Sequence, residues 1–467
     1  MPTNKSQHFV PQHYLRQFRI EGTEKQIGVV QLEPLNIIPR GSISGQCQQD
    51  YFYRDDGQLD ALLTQCEDDL APVLIRVSRT KEFDEKELVA LRFLAVILHV
   101  RNRKTIEVAK LFPKKIAYEV IKSAIVRGEL PPCPDPGVWK EGMMDFLDVA
   151  GSLMKWNAIP CWLEMQTLGC KLLEAAPKTF FISSDHPVEM MNQLFASSEP
   201  LRSFVGFSRS GFQLLLPISP TLCIFFYDPF VYKVGAGRRR LVQLSPSDVE
   251  LVNALQVQSA EECVYFHDPK RLSEVHSCVS KYMGLRASIR NALRELPGRN
   301  PNEALIHVRQ PSVKLTRPWS FCTYRKSKRI GEVNRRNPAW SKFVKAIGED
   351  MDAHPDRDVF TSMEMILGEP FTERVNRGLI LRACVAGNPN VIPSFSPGLA
   401  RNAKPWVGRQ NNPCPRSAAL RAAAMSELSK TPPFRRTSPD WRSCCESQTR
   451  APASSFATFA SSPSVLA

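Results

Sequence analysis

Apolar residues recur at helical spacing in the first third of the chain. Leu59, Leu62, Leu63, Leu70, Val73 and Leu74 predict an amphipathic helix over about 58–77, with an acidic patch at Glu67-Asp68-Asp69. A second helix is expected over 84–103. Asp84 can cap it, and Glu87, three residues on, completes a capping-box pair. Leu88, Leu91, Phe93, Leu94, Val96, Ile97 and Val100 make that helix apolar on nearly every side, which suits the centre of a helical core. It ends in the cationic turn His99-Val100-Arg101-Asn102-Arg103-Lys104, favourable against the helix dipole. Further helices are expected over about 106–127 and about 138–173, the second interrupted near Pro160.

Before and after these helices the period changes to that of strands. Short strands are expected over 26–31, 36–38 and 46–53, then at 179–184, 212–217 and 221–227. Ser245-Pro246-Ser247-Asp248 opens a helix over 245–260 that should expose Asn253 and Gln256, and Val264–Phe266 closes the unit as a strand. The pattern predicts an α+β domain over 1–284: a central helical core with a small, mostly antiparallel sheet. A basic, largely disordered C-terminal region follows. Within it, 285–345 reads as a proline-broken linker, 338–385 as a short helical segment, and 386–467 as a disordered tail too poor in large apolar residues to offset ordering entropy.

The net charge of +14 changes the picture only through its distribution. Residues 1–284 carry 32 Lys and Arg against 33 Asp and Glu, whereas 285–345 carry 15 against 3. Trp319, Phe321, Tyr324 and Trp340 interleave with the cations of 309–345, a composition suited to nucleic acid as partner: cations for phosphates, rings for stacking. The plainer reading of the same run is a solvated linker. Thirteen cysteines without a CxxC pair are neither a disulfide framework nor a zinc pattern. With no secretory signal and no apolar run long enough for a bilayer, a cytoplasmic protein without a membrane partner is expected.

The candidate chemistry sits at element ends. His8-Phe9-Val10-Pro11-Gln12-His13-Tyr14-Leu15-Arg16-Gln17-Phe18 packs polar groups between apolar anchors, Ile182-Ser183-Ser184-Asp185-His186-Pro187-Val188 ends a strand, and Leu216-Pro217-Ile218-Ser219-Pro220 precedes another. These three marks, in this order, resemble the uncharacterised bacterial family called domain of unknown function 4238, over about residues 6–268. The resemblance falls on His8, Pro11, Tyr14, Leu15, Phe18, Arg101 or Arg103, Ser184, Asp185, Pro187, Ser219, Pro220 and Asn253. The departures are Ile218 for leucine, and Lys104-Thr105 where threonine-proline is common after the arginine. The resemblance implies a shared fold and site, and no established activity.

Residue chemistry therefore has to supply the function. His8, Gln12, Asp185, His186, Ser184, Ser219, Asn253 and Arg101 or Arg103 are expected to converge. His8, Asp185 and His186 could hold a divalent metal and activate water for ester or phosphodiester hydrolysis. Alternatively, His8 acts as general base with Asp185 as its orienter, which makes the chain a hydrolase or nuclease. The plainer readings are a capped turn for Ser184-Asp185-His186-Pro187, C-terminal capping for Arg101 and Arg103, and a non-catalytic binding or scaffold module for the whole. The absence of Gly-x-Ser-x-Gly, His-Glu-x-x-His, the Walker glycine-lysine loop and Gly-x-Gly-x-x-Gly counts against common hydrolases, NTPases and dehydrogenases.

Overall fold

The computed structural model describes residues 5–53, 57–111, 125–128, 158–196, 205–237, 239–286, 293–297, 304–308, 313–325, 338–354 and 362. Its elements mix helices with mostly antiparallel strands, an α+β architecture. Two compact units divide at Pro338.

A short strand β1 (Ser6–His8) and the single turn α1 (Gln12–Leu15) open the first unit, followed by β2 (Gln26–Leu32), β3 (Leu35–Ser42) and β4 (Gln48–Asp50). Two helices come next, α2 (Gly57–Thr80) and α3 (Glu85–Val100). The capping box at the start of α3 is present as the sequence predicts: Asp84 accepts from the Glu87 N–H, and the Glu87 carboxylate accepts from the Asp84 N–H. The expected long helix over 138–173 is not continuous. Residues 138–157 lie outside the described set, α4 covers Ile159–Met165, and Gly169–Glu174 is the strand β5. Leu172 and Leu173 are both fully buried, each belonging to a different core cluster, as adjacent residues of a two-faced strand must be.

After β5 come β6 (Ser183–Ser184), β7 (Glu189–Asn192), β8 (Phe212–Ser219), β9 (Leu222–Tyr227), β10 (Tyr232–Val234) and β11 (Leu241–Gln243). Then follow α5 (Pro246–Ser259), β12 (Cys263–Phe266), α6 (Leu272–Tyr282), the hairpin of β13 (Leu293–Pro297) and β14 (Ala304–Val308), and β15 (Cys322–Tyr324). The larger sheet has the order β11-β5-β9-β8-β7, antiparallel except for the β11–β5 pair. A second sheet runs β3-β2-β12-β6.

The larger sheet divides the core, and its alternation can be read residue by residue. Leu214, Leu216, Ile218, Ile224 and Phe226 face the cluster built on α2 and α3; Leu215, Cys223 and Phe225 face the one built on α5. All eight residues of β8 are buried, so its near-continuous apolar run reflects cover on both faces. At about 1.5–3 kcal/mol for each large apolar side chain removed from water, this layer is the main source of stability. The second helix layer is more buried than its sequence suggests. Gln256 of α5 is fully inaccessible, and Asn253 is half-buried, its amide bonding Ile182 N–H and Phe180 C=O.

The domain boundary expected at 284 is overrun. Residues 313–325 pack on the same unit: Trp319 and Cys322 are buried beside α5, and β15 pairs with β10. The rings of Trp319 and Phe321 lie against each other, with Phe321 edge-on to Phe225, so neither is open for base stacking. Of the second unit, α7 (Pro338–Ala353) is described; it spaces Phe343, Val344 and Ile347 along one face. The expected segments over 355–361 and 363–467 lie outside the described residues.

Candidate functional site

The motif residues meet around the C-terminal end of α3, and their backbones hold them there. Arg101 is the C-cap residue of α3 and is buried. Its guanidinium donates to Tyr53 Oη at 3.0 Å, to Glu67 Oε1 at 2.6 Å and to the His8 carbonyl. Burial opposes its charge, yet the neighbouring Tyr53 and Glu67 hold its pKa above the ordinary arginine value. The next residue, Asn102, donates from Nδ2 to the Asp185 carbonyl at 2.5 Å. One helix end thus ties the N-terminal stretch to the β6 turn.

The side chains of those motifs have separate employment. The His8 ring lies 3.0 Å from the Gln46 carbonyl through Nδ1 and 2.9 Å from the Gln12 amide through Nε2. Tyr14 donates to the Pro217 carbonyl at 2.6 Å and shares a hydrogen bond with Ser183, while Leu15 and Phe18 are fully buried. These three are the plug that fastens the N-terminus to the core. The Asp185 carboxylate accepts three backbone N–H groups, from Glu261 at 2.9 Å, Glu262 at 2.6 Å and Cys263 at 3.0 Å. Burial nonetheless pushes its pKa up. Ser184 donates to Gln256 and accepts from the His186 N–H; Ser219 accepts from the Thr221 N–H in the β8–β9 turn. Arg103 pairs with Glu262 at the surface.

This overturns the proposed metal set. Among the described residues no group of three or more His, Cys, Asp or Glu side chains is arranged to hold a metal ion. The reason is visible in the partners: both Asp185 oxygens are committed to backbone N–H groups, and both His8 nitrogens to Gln46 and Gln12.

His186 goes elsewhere. It lines a cavity with His99, Lys104, Thr105, Glu189 and Ser259, closed on its apolar side by Val108, Val188, Met190, Val205 and Val313. The space open to water-sized spheres is about 30 Å³, enough for a water or a group of a few heavy atoms. His186, Thr105 and Met190 are only partly buried. The two imidazoles meet edge to face with centroids 6.5 Å apart, and each Nδ1 is buried with no hydrogen-bond partner among the described residues. Such atoms are rare in a finished core.

The pocket's ionisable groups are all displaced from their ordinary behaviour. Burial lowers the His99 pKa to about 4. Burial, the Lys104 charge and His99 together depress His186 well below the usual histidine range. Burial also lowers Lys104 and raises Glu189, with each charge partly offsetting the shift in the other. Gln256 sets the geometry: its amide donates to the Pro187 carbonyl at 3.0 Å and to Glu189 at 3.4 Å, and Ser259 donates to the same Glu189 oxygen. Lys104 Nζ donates to the Ser259 carbonyl at 2.9 Å.

Lys104, Glu189, Gln256 and Ser259 were not among the residues expected at a site. The one hint in the sequence is Lys104-Thr105 itself, a departure from the family pattern directly after the arginine. A family model described as a protein of unknown function, DUF4238, matches residues 6–123 and 149–270, 240 of the 467 residues. The chain belongs to the DUF4238 family. The matched segments carry both the Arg101 clasp and every cavity-lining residue except Val313, so the DUF4238 region is what positions them. A search of curated proteins and a search of solved structures each return no match.

Proposed function

We propose that the chain is a His-dependent acid–base hydrolase whose reacting groups are His186 and Glu189, in place of the His8–Asp185 pair. The observation that carries this reading is the edge-to-face pair of His99 and His186 lining a cavity that also holds a carboxyl and an amine, each ring keeping a buried Nδ1 with no hydrogen-bond partner among the described residues. Displaced pKa values of opposite sense support it. A depressed histidine is neutral, and so a base, at neutral pH; a raised carboxyl still holds a proton to give.

In this reading His186 takes a proton from water as its oxygen attacks an acyl carbon, and Lys104 stabilises the oxyanion that develops. The carbon–oxygen bond then breaks, Glu189 protonates the leaving alkoxide, and the proton on His186 passes to Glu189 through solvent. Gln256 and Ser259 are positioning residues, since both hold Glu189.

A non-catalytic module is the competing reading, favoured by the structural use of every other motif side chain. A nucleic-acid role for 309–345 would have to rest on groups other than Trp319 and Phe321. Arg317 and Arg325 are also bonded to backbone carbonyls, at Ser247 and at Pro229. Hydrolysis of short-chain nitrophenyl esters by the full chain separates the readings. His186→Asn and Glu189→Gln should each lower kcat by about 10²–10⁴-fold while the protein stays folded. Equal rates in all three proteins, or none, would leave the scaffold reading.

A further inference from the structure

We propose that the pocket binds a small monocarboxylate through Lys104, an inference that rests on the acid–base reading above and names its ligand class. Lys104 is 5% exposed, and its described hydrogen bond is to a backbone carbonyl, not to an acid. The acids that act on it from a distance are Glu189, Glu261 and Asp185, with Arg286 opposing them. Asp185 is bound by three N–H groups and Glu189 by Ser259 and Gln256, so neither closes on the ammonium. A buried cation without a bonded counter-ion is costly, and a ligand carboxylate would supply the missing charge.

Three further features select the ligand. His99, 7% exposed, lines the same cavity, and its buried Nδ1, a donor in one tautomer, has no hydrogen-bond partner among the described residues. The first turn of the helical stretch over 103–111 abuts the cavity at Lys104 and Thr105; the Lys104 N–H is held by Asn102 Oδ1 at 2.9 Å, so the turn offers an anion its positive dipole end and not that donor. Val108, Val188 and Val205 offer an apolar wall to a short alkyl chain. The single cation, with Glu189 beside it, suits one negative charge and not the two of phosphate. The volume admits a carboxyl group with little more, as in acetate or propionate.

Thermal melting of the full chain at pH 7 and constant ionic strength tests this, with sodium propionate, sodium phosphate, sodium chloride and propionamide as the probes. Propionate should give a saturable rise in Tm, because a ligand that binds only the folded state must stabilise it. Chloride, phosphate and the uncharged propionamide should not. Lys104→Met should weaken propionate at least tenfold, whereas Glu189→Gln should retain it. A propionate response absent in the native chain, matched by propionamide or phosphate, or intact in folded Lys104→Met would overturn the proposal. The propionamide comparison needs no variant and decides the case even if Lys104→Met does not fold. Ester turnover without propionate binding would sink this inference and leave the hydrolase reading; binding without turnover would do the reverse.

Discussion

The clasp around Arg101 and the pocket around His99 and His186 begin two residues apart on the same helix end, and they use their polar groups in opposite ways. In the clasp, Arg101, Tyr53, Glu67, Gln7 and the His8 carbonyl form one connected network, and the loose end at its margin is His13, which meets Glu67 through Nδ1 and leaves Nε2 without a partner among the described residues. In the pocket, two imidazole nitrogens have no partner among the described residues, and the lysine's described hydrogen bond is to a backbone carbonyl. Fully satisfied polar networks rigidify a fold. Unsatisfied buried groups are strained reserves that a ligand can complete. The residues that spell out the family pattern lie mostly in the first class, which is why the pattern identifies a fold better than it identifies a reaction.

The comparison breaks most visibly at Arg101. Arg101→Met removes three donors at once and leaves the Glu67 carboxylate, 26% exposed, beside an emptied site. Loss of one partner from a fully buried pair costs about 3–5 kcal/mol; here Glu67 is partly exposed and keeps His13 at 3.6 Å, so the lower end of that range is expected. Urea denaturation should show that loss, and Arg101→Lys should recover little of it, because a lysine cannot span Tyr53, Glu67 and the His8 carbonyl together. Recovery by lysine would mean that charge alone, and not the fork, holds the clasp.

The pocket should declare itself through pH. Burial holds His99 at about 4 against 6.5 for an unfolded chain. The folded state therefore prefers the neutral ring. Its contribution is complete above pH 6.5 and is lost as pH falls from 6.5 through 4. A shift of that size is worth about 3 kcal/mol. His99→Phe, beside Phe207, should flatten the acid limb of stability against pH by about that amount, while the neutral-pH value changes less. An unchanged acid limb would show that His99 is not desolvated as described.

The sequence makes parts of this fold legible and hides others for identifiable reasons. The α3 helix is plain because its cap and its all-round apolar pattern agree. Tyr14, Leu15 and Phe18 are legible as core anchors by their spacing. The strand β5 is misread as helix because Gly169–Glu174 is a short mixed stretch with few apolar positions following a true helical turn, where period cannot decide. Gln256 is read as exposed because a polar residue on a helix suggests a wet face; here it is fully buried, bonding Ser184, Pro187 and Glu189. The expected site residues do not come together as one set: His186 lines the cavity, whereas the His8 and Asp185 side chains are bonded elsewhere. His8 and Asp185 are singled out by residue type, and nothing in one sequence states which of their atoms are already claimed by other bonds.

His8 gives the smallest effect and the sharpest contrast. Arg101 holds its carbonyl, not its ring, and β1 pairs with β4 through the backbone, so His8→Ala leaves both intact. What is lost is the ring's link from the Gln46 carbonyl to the Gln12 amide, in a part-buried setting. One such neutral link is worth about 1 kcal/mol. The variant should therefore melt slightly earlier and hydrolyse esters at the native rate, whereas His186→Asn should melt near the native temperature and lose turnover. If His8→Ala stays folded and loses turnover instead, the reacting base lies in the clasp and the division between the two regions fails. The test is fair because the two histidines flank the same helix end, so a general loosening there would lower both activities together.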